Sequence, residues 1–380
     1  MTLKILSVFG TRPEAVKMAP IVRLLNQTTG LESRVCVTAQ HRQMLDQVLE
    51  LFQIKPDYDL DLMREDQSLA QISASIFTDL DPVLADFQPD WVLVVGDTTT
   101  VVTTSLLTYF RRIKLGHVEA GLRTHNKWHP FPEEINRRIA TVIADLHFAP
   151  TEWSKGNLLR EGVDEKSILV TGNSVIDALR FVAEQAEPQE ITALLKRLET
   201  RGPETRRLVL VTAHRRENFG QPLENICQAI RELASRGDLE IVYPVHLNPN
   251  VQEPVNRILK GVPHITLLPP LDYLPMVHLM KHARLLLTDS GGLQEEAPSF
   301  GVPVLVLRET TERPEGVEAG TLKVVGTETK HIVSTAKRLL DDPIAYAEMA
   351  KATNPYGDGH TAERIVEALL PSERSGASKS

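Results

Sequence analysis

The 380-residue chain is predicted to be an α/β protein of two Rossmann-like, doubly wound domains facing across a cleft. Three observations predict this. Short apolar runs alternate with segments of helical periodicity along nearly the whole sequence, the pattern of βαβ crossovers and parallel sheets. The alternation lapses into a polar stretch near the middle and then restarts. The length also exceeds what a single hydrophobic core usually serves.

In chain order, Leu3 to Phe9 is an apolar run stopped at Gly10, and a helical pattern follows from Pro13 to about Asn26. Arg34 to Thr38 is the next strand, with helical segments at Gln43 to Leu51 and Ser68 to Phe87. In the latter, Leu69, Ile72, Ile76 and Leu80 recur at helical spacing. Trp91 to Val95 is a buried strand ending at Gly96-Asp97; Thr98 to Arg112 is its helix, and Ile113 to Val118 is the strand after that. Ala186 to Arg206, rich in Glu, Gln, Arg and Pro, predicts a helix and a linker. The pattern resumes with a strand at Arg207 to Ala213 and a helix whose Leu223, Ile226, Ile230 and Leu233 share one face. Further strands follow at Glu240 to Val245, His264 to Leu268, Leu285 to Thr288 and Val302 to Leu307. The expected divisions are an N-terminal domain over 1–172, connecting helices and linker over 173–206, and a C-terminal domain over 207–355. A C-terminal helix over 356–370 is expected to pack back on the N-terminal domain, and the polar tail 371–380 to be disordered.

Composition narrows the function. The hydrophobic share is 42%, the charged share 24% and the net charge −8, which argues against nucleic acid or an anionic membrane as the main partner. No apolar stretch approaches the ~20 residues that span a bilayer. The N-terminus runs straight into a strand pattern, without the charged and apolar regions of a signal peptide. The two cysteines, Cys36 and Cys227, lie in apolar periodic segments and read as reduced core residues of a cytoplasmic protein.

The chemistry concentrates where strands end, which is where open α/β sheets bind ligands. Gly116-His-Val-Glu-Ala-Gly-Leu-Arg-Thr124 and Phe131-Pro-Glu-Glu-Ile-Asn-Arg-Arg138 bring Glu119, Glu133, a histidine and several arginines just beyond an apolar strand. They suggest acid–base chemistry on an anionic substrate. Thr288-Asp-Ser-Gly-Gly-Leu-Gln-Glu-Glu296 leaves a strand and opens a helix, so Ser290, Gly291 and Gly292 offer free N–H groups to a phosphate or diphosphate. Glu296 stands where it could accept ribose hydroxyls, with Arg308 and Arg313 nearby; the alternative is an ordinary turn with Ser290 as helix cap. The first turn, Phe9-Gly-Thr-Arg-Pro-Glu-Ala-Val-Lys17, is neither a dinucleotide fingerprint nor a Walker loop, but Arg12 and Lys17 suit an anion. Asp97 is either a helix cap or a carboxylate at the cleft mouth. His214, in Thr212-Ala-His-Arg-Arg-Glu-Asn-Phe-Gly220, suits anion binding or proton transfer, and His246 follows a strand and could equally be structural.

As a set these segments, with Gly96 to Thr100 and Asn354-Pro-Tyr-Gly-Asp-Gly359, resemble the bacterial non-hydrolysing UDP-N-acetylglucosamine 2-epimerases over the chain up to about Leu370. The resemblance implies a glycosyltransferase-B-like fold, a homodimer, and interconversion of UDP-GlcNAc and UDP-ManNAc for cell-surface polysaccharide synthesis. The implied route is anti elimination of UDP to 2-acetamidoglucal and re-addition, with no metal and no cofactor. It places acid–base and catalytic groups on Lys17, Asp97, Glu119, Glu133 and His214. Nucleotide binding falls on Arg12, Leu271, Met276, Ser290, Gly291, Gly292, Glu296 and Arg313. Leu271 and Met276 replace the Gln and Phe that line uracil in some relatives. An allosteric second UDP-GlcNAc would touch Gln40, Gln43, Glu134, Arg215 and His246, with Asp66 where such relatives can carry arginine. A hydrolysing epimerase, a glycosyltransferase of the same fold and a non-catalytic UDP-sugar sensor are the competing readings.

Overall fold

A computed structural model describes residues 2–39, 42–62, 64, 66–199 and 206–370, and the chain divides into two units. The first comprises Met1–Ala178 with Tyr356–Ser380, the second Leu179–Pro355, so the division falls inside the helix Ser174–Ala183. The tail expected to be disordered, like Gln40, lies outside the described residues.

The first unit contains, among its described residues, a seven-stranded parallel sheet of order β3-β2-β1-β4-β5-β6-β7. Its strands are β1 (Leu3–Phe9), β2 (Leu31–Val37), β3 (Tyr58–Asp59), β4 (Trp91–Val95), β5 (Lys114–Val118), β6 (Leu146–Ala149) and β7 (Ile168–Val170). Helices cover both faces, so the central strands read as unbroken apolar runs; every residue of β4 is buried. The C-terminal helix Thr361–Leu369 belongs to this unit and packs on the helix Arg12–Gln27.

The second unit contains six parallel strands in the order β10-β9-β8-β11-β12-β13. They are β8 (Arg207–Thr212), β9 (Leu239–Pro244), β10 (Ile265–Leu268), β11 (Leu285–Thr288), β12 (Val304–Val306) and β13 (Leu322–Val324). On one face of the helix Gln221–Ala234, Leu223, Ile226, Ile230 and Leu233 are buried in the core with Val209, Val211 and Tyr243. Each sheet thus has the doubly wound order, with its switch point between β1 and β4 or between β8 and β11.

The alternation and the restart match the sequence expectation. β3, β6, β7 and β13 were not anticipated; each has two to four residues, too few to display a period. Cys36 and Cys227 are buried and unpaired, and burial pushes both thiols up to about 12. No helix among the described residues is long and apolar enough to cross a membrane.

Candidate functional site

In the first unit the switch point is organised by one buried carboxylate. Thr11 caps the helix Arg12–Gln27 in a capping box, and Pro13 suits its first turn. Glu14 accepts hydrogen bonds from Gly10 N (2.9 Å), Thr11 N (2.8 Å), Thr11 Oγ1 and Thr98 Oγ1, and so ties the turn after β1 to the turn after β4. Arg12 makes no side-chain hydrogen bond or ion pair to a described residue and stays half-buried at this turn.

Asp97 is not the helix cap, because Thr98 fills that position, its side chain accepting from Val101 N. The Asp97 carboxylate instead takes Arg137 Nε (2.8 Å) and Nη2 (2.7 Å) on one oxygen, while its carbonyl accepts Asn136 Nδ2 at 2.8 Å. Glu119, one residue past β5, is held in the left-handed region at φ 61° and is 8% exposed. A non-glycine residue there is strained, and such strain concentrates at functional sites. Lys17 ion-pairs with Glu119, and Asn173, beyond β7, donates to it at 3.1 Å. A Cβ on Gly96 would stand 3.5 Å from Glu119 Oε2, which sets Asp97 and Glu119 on neighbouring strand ends. Glu133 opens the helix Glu133–Ile143, and its Oε2 is buried without a partner.

Glu134 has a structural task. It is buried and accepts from Thr124 N (3.0 Å), His125 N (3.1 Å), Arg137 and Arg138, which fastens the loop after β5 to the helix. Burial opposes its charge, but the Thr124 amide and Arg137 outweigh that and hold the carboxyl below its usual range.

Two histidines lie beneath the carboxylates, paired in register on β5 and β6. His117 Nε2 donates to Gly96 O at 2.7 Å, and both ring nitrogens of buried His147 lack partners. Burial, with His117 and Arg123 nearby, pushes His147 down from 6.5 to about 4. Between those values the unfolded chain binds more protons, so the fold loses stability as pH falls through this window. His147→Leu should therefore remove on the order of 2 kcal/mol of the stability lost between about pH 7 and pH 5, read from urea midpoints.

In the second unit the turns after β8 and β11 meet at Asp289, which is fully buried. Its Oδ2 accepts from His214 N (2.8 Å), Arg215 N (2.8 Å) and Asn218 Nδ2 (3.0 Å). The His214 ring stacks on His246 with centroids 5.4 Å apart and planes 11° apart. A Cβ on Gly291 would lie 3.5 Å from Arg313 Nη2 and 3.6 Å from Arg215 Nη2, so two guanidinium groups converge over this turn. Arg313 pairs with Glu295, and Arg215 Nε is buried without a partner. Ser290 occupies the cap position of the helix Gly291–Glu296 but makes no side-chain cap bond. Arg308, in contrast, is committed to Glu217.

Glu296 accepts from Tyr273 OH at 3.1 Å. Leu271 and Met276 are half-buried, before and within the helix Tyr273–His282 that Tyr273 opens. Arg12, Asp97 and Glu119 thus follow strand ends of the first unit, with Lys17 paired to Glu119, while Glu133 opens a helix of the same unit. The structure gathers His214, Arg215, His246, Ser290, Gly291, Gly292 and Arg313 in the second. Glu134 belongs to the first unit, and Arg215 and His246 belong to the second; Gln40 and the Gln43 side chain lie outside the described residues. Sequence reading missed Glu14, Asn136, Arg137, Asn173 and Asp289 as partners of the site. All but Asn173 lie inside the quoted runs, but only the fold reveals that Glu14, Asn136, Arg137 and Asp289 each bind a turn distant in sequence.

The family model described as UDP-N-acetylglucosamine 2-epimerase matches residues 23–370. The chain is 56% identical over 369 residues to the Yersinia pestis UDP-N-acetylglucosamine 2-epimerase, covering 97% of this chain and 98% of that one. It is similar to the structure of Neisseria meningitidis UDP-GlcNAc 2-epimerase bound to UDP-GlcNAc, with TM-score 0.88, 50% identity, and 97% and 100% of the two chains covered. It is also similar to the Methanocaldococcus jannaschii enzyme in complex with UDP-GlcNAc and UDP, with TM-score 0.78, 33% identity, and 97% and 99% covered. The chain belongs to the UDP-N-acetylglucosamine 2-epimerase family.

Proposed function

We propose that the protein interconverts UDP-GlcNAc and UDP-ManNAc without hydrolysis, in the cytoplasm, supplying UDP-ManNAc for cell-surface polysaccharides. The observation that carries this reading is the placement of Asp97 and Glu119 on adjacent strand ends, each with a cationic partner. A mere binder of an anion gains nothing from two nearby carboxylates, whereas proton transfer at carbon needs them. A carboxylate removes the C2 proton, the C2–H electrons form a C1=C2 bond, and the C1–O bond breaks with its pair leaving on UDP. The product is 2-acetamidoglucal. Re-addition of UDP with proton delivery to the opposite face of C2 inverts that centre. Asp97, Glu119 and Glu133 handle the protons, with Lys17 setting the charge on Glu119. Arg12, His214, Arg313 and the amides around Ser290, Gly291 and Gly292 hold the growing diphosphate charge. Glu296 accepts from ribose, and Leu271 and Met276 give uracil apolar contact.

Proton NMR in D₂O tests the reaction. UDP-ManNAc should appear from UDP-GlcNAc carrying deuterium at C2, with wash-out of the C2 proton from both. Free UDP with free ManNAc would mean hydrolysis instead, and an unchanged spectrum despite binding would mean a sensor. A second UDP-GlcNAc is proposed as activator through Arg215 and His246; strictly hyperbolic UDP-ManNAc turnover, independent of added UDP-GlcNAc, would remove it.

The same reading includes a homodimer. Tyr109, Phe110 and Val142 are 66%, 66% and 86% exposed beside a groove of about 970 Å³ formed by the helices Thr99–Arg111 and Glu133–Ile143. An apolar patch of this kind suits a self-complementary interface. Val142→Glu should convert a dimer of the wild type to monomer in light scattering; an unchanged mass would place the contact elsewhere.

A further inference from the structure

We propose that Asp289 is a positioning residue that aims the His214 ring, so that binding of a diphosphate draws one proton from solvent onto His214. The inference rests on the reading that the second unit binds UDP.

The geometry is specific. Three donors saturate Asp289 Oδ2, but Oδ1 is buried with no hydrogen-bond partner. His214 Nδ1 stands 3.6 Å from Oδ1, at ion-pair but not hydrogen-bond distance. An unpaired buried carboxylate oxygen is costly, so the favoured tautomer of His214 carries its proton on Nδ1, toward Asp289. That leaves the Nε2 lone pair directed away from Asp289 and available to a ligand.

The groups facing this ring are Asp289 from the turn after β11, Arg215 from its own turn, and His246 from the turn after β9. His246 Nδ1 accepts from Asn248 N at 3.1 Å, which places the proton of neutral His246 on Nε2. Burial lowers the affinity of His214 for a second proton; Asp289 raises it, while His246 and Arg215 lower it again. The balance favours neutral imidazole in the free protein. A diphosphate reverses it, because its negative charges, near Arg215 and Arg313, favour the charged imidazolium and offset the Arg215 charge that opposed it. His214 Nε2 then takes a proton from buffer and donates it in a hydrogen bond to a phosphate oxygen. Release of UDP returns that proton to solvent. Asp289 touches neither ligand nor reacting atoms in this scheme; it acts through His214.

Two measurements test it. In the first, UDP is titrated calorimetrically into the full chain at about pH 8, in two buffers of different ionisation enthalpy. Wild type should take up close to one proton per UDP, and affinity should fall by up to about tenfold per pH unit above that. Asp289→Asn should still bind UDP but lose most of the uptake, as should His214→Asn. Binding without uptake by the wild type, or full uptake by Asp289→Asn, would overturn the proposal. Absence of UDP binding by the wild type would overturn the reading beneath it. In the second, which needs no variant to fold, imidazole ¹⁵N shifts of the wild type should show His214 protonated at Nδ1. Protonation at Nε2 alone in the free protein would refute the role of Asp289.

Discussion

Asp97→Asn should lower turnover of UDP-GlcNAc about 10³-fold, in the range expected for loss of a general acid or base, and leave UDP affinity within a few-fold of wild type. The substitution keeps the size and the carbonyl oxygen that Arg137 grips, and the Asn136 contact goes to the backbone of residue 97 and survives. The fold therefore has little reason to change. What disappears is a carboxylate able to hold a proton at the end of β4. A 10³-fold fall corresponds to about 4 kcal/mol of barrier, far more than one exposed ion pair contributes to stability. The companion experiment is C2–H exchange in D₂O, which should slow in step with turnover. Retained exchange with lost turnover would move Asp97 from proton transfer to a later step, and turnover within about threefold of wild type would sink its catalytic role. Glu119→Gln gives the comparison, because Lys17 and Asn173 would then face an amide; a fall of similar size there would make the two carboxylates a working pair.

Much of this arrangement was legible in the sequence because parallel sheets write themselves plainly. β1, β4, β8 and β11 are apolar runs that stop at Gly10, Gly96, Ala213 and Asp289, and the switch-point rule makes those stops the place to look. Asp97 and His214 are reached this way, and Glu119 by the same reading of the neighbouring β5. Glu14 and Asn173 are not. Glu14 reads as an ordinary acidic residue in a first helical turn, and its tie to Thr98 spans 84 positions. Asn173 follows a three-residue strand that carries no periodic signal, yet it reaches Glu119 from 54 positions away. Contacts at that separation depend on strand order, which local pattern does not encode.

The two units also share a device. In each, one buried carboxylate collects the N–H groups of the turn after the first strand and ties in the turn after the fourth: Glu14 in the first unit, Asp289 in the second. The carboxylates sit on opposite turns. Glu14 follows β1 and reaches forward, whereas Asp289 follows β11 and reaches back to β8. Both leave the cationic side chains beside them, Arg12 and Arg215, without an acidic partner of their own among the described residues. A turn that satisfies its backbone internally can present such a cation to a ligand instead of spending it on the fold.

Gly121→Ala should cost about 3 kcal/mol of stability and more than tenfold in turnover, though residue 121 touches no proposed ligand group. Gly121 has φ 91°, and a Cβ there would stand 2.4 Å from the carbonyl oxygen of Ser154 and 3.0 Å from Leu158 Cγ. A backbone oxygen cannot step aside as a flexible side chain can. Either the helix Glu152–Arg160 shifts away or the chain from Glu119 to Gly121 does. The first route breaks the buried hydrogen bond from Asn157 Nδ2 to Gly121 O, at 2.8 Å. The second pulls on Glu119, already strained at φ 61°, and on its contacts with Lys17 and Asn173. Gly162→Ala separates crowding from backbone strain. Its φ is 85°, nearly the same, but nothing lies within 4 Å of the added carbon. That change should cost only about 1–2 kcal/mol, the left-handed penalty alone, and leave turnover unchanged. Equal losses in the two variants, read from urea midpoints and initial rates, would mean that φ alone governs residue 121. A clear excess at Gly121 would show that close packing behind Glu119 holds the carboxylate in place.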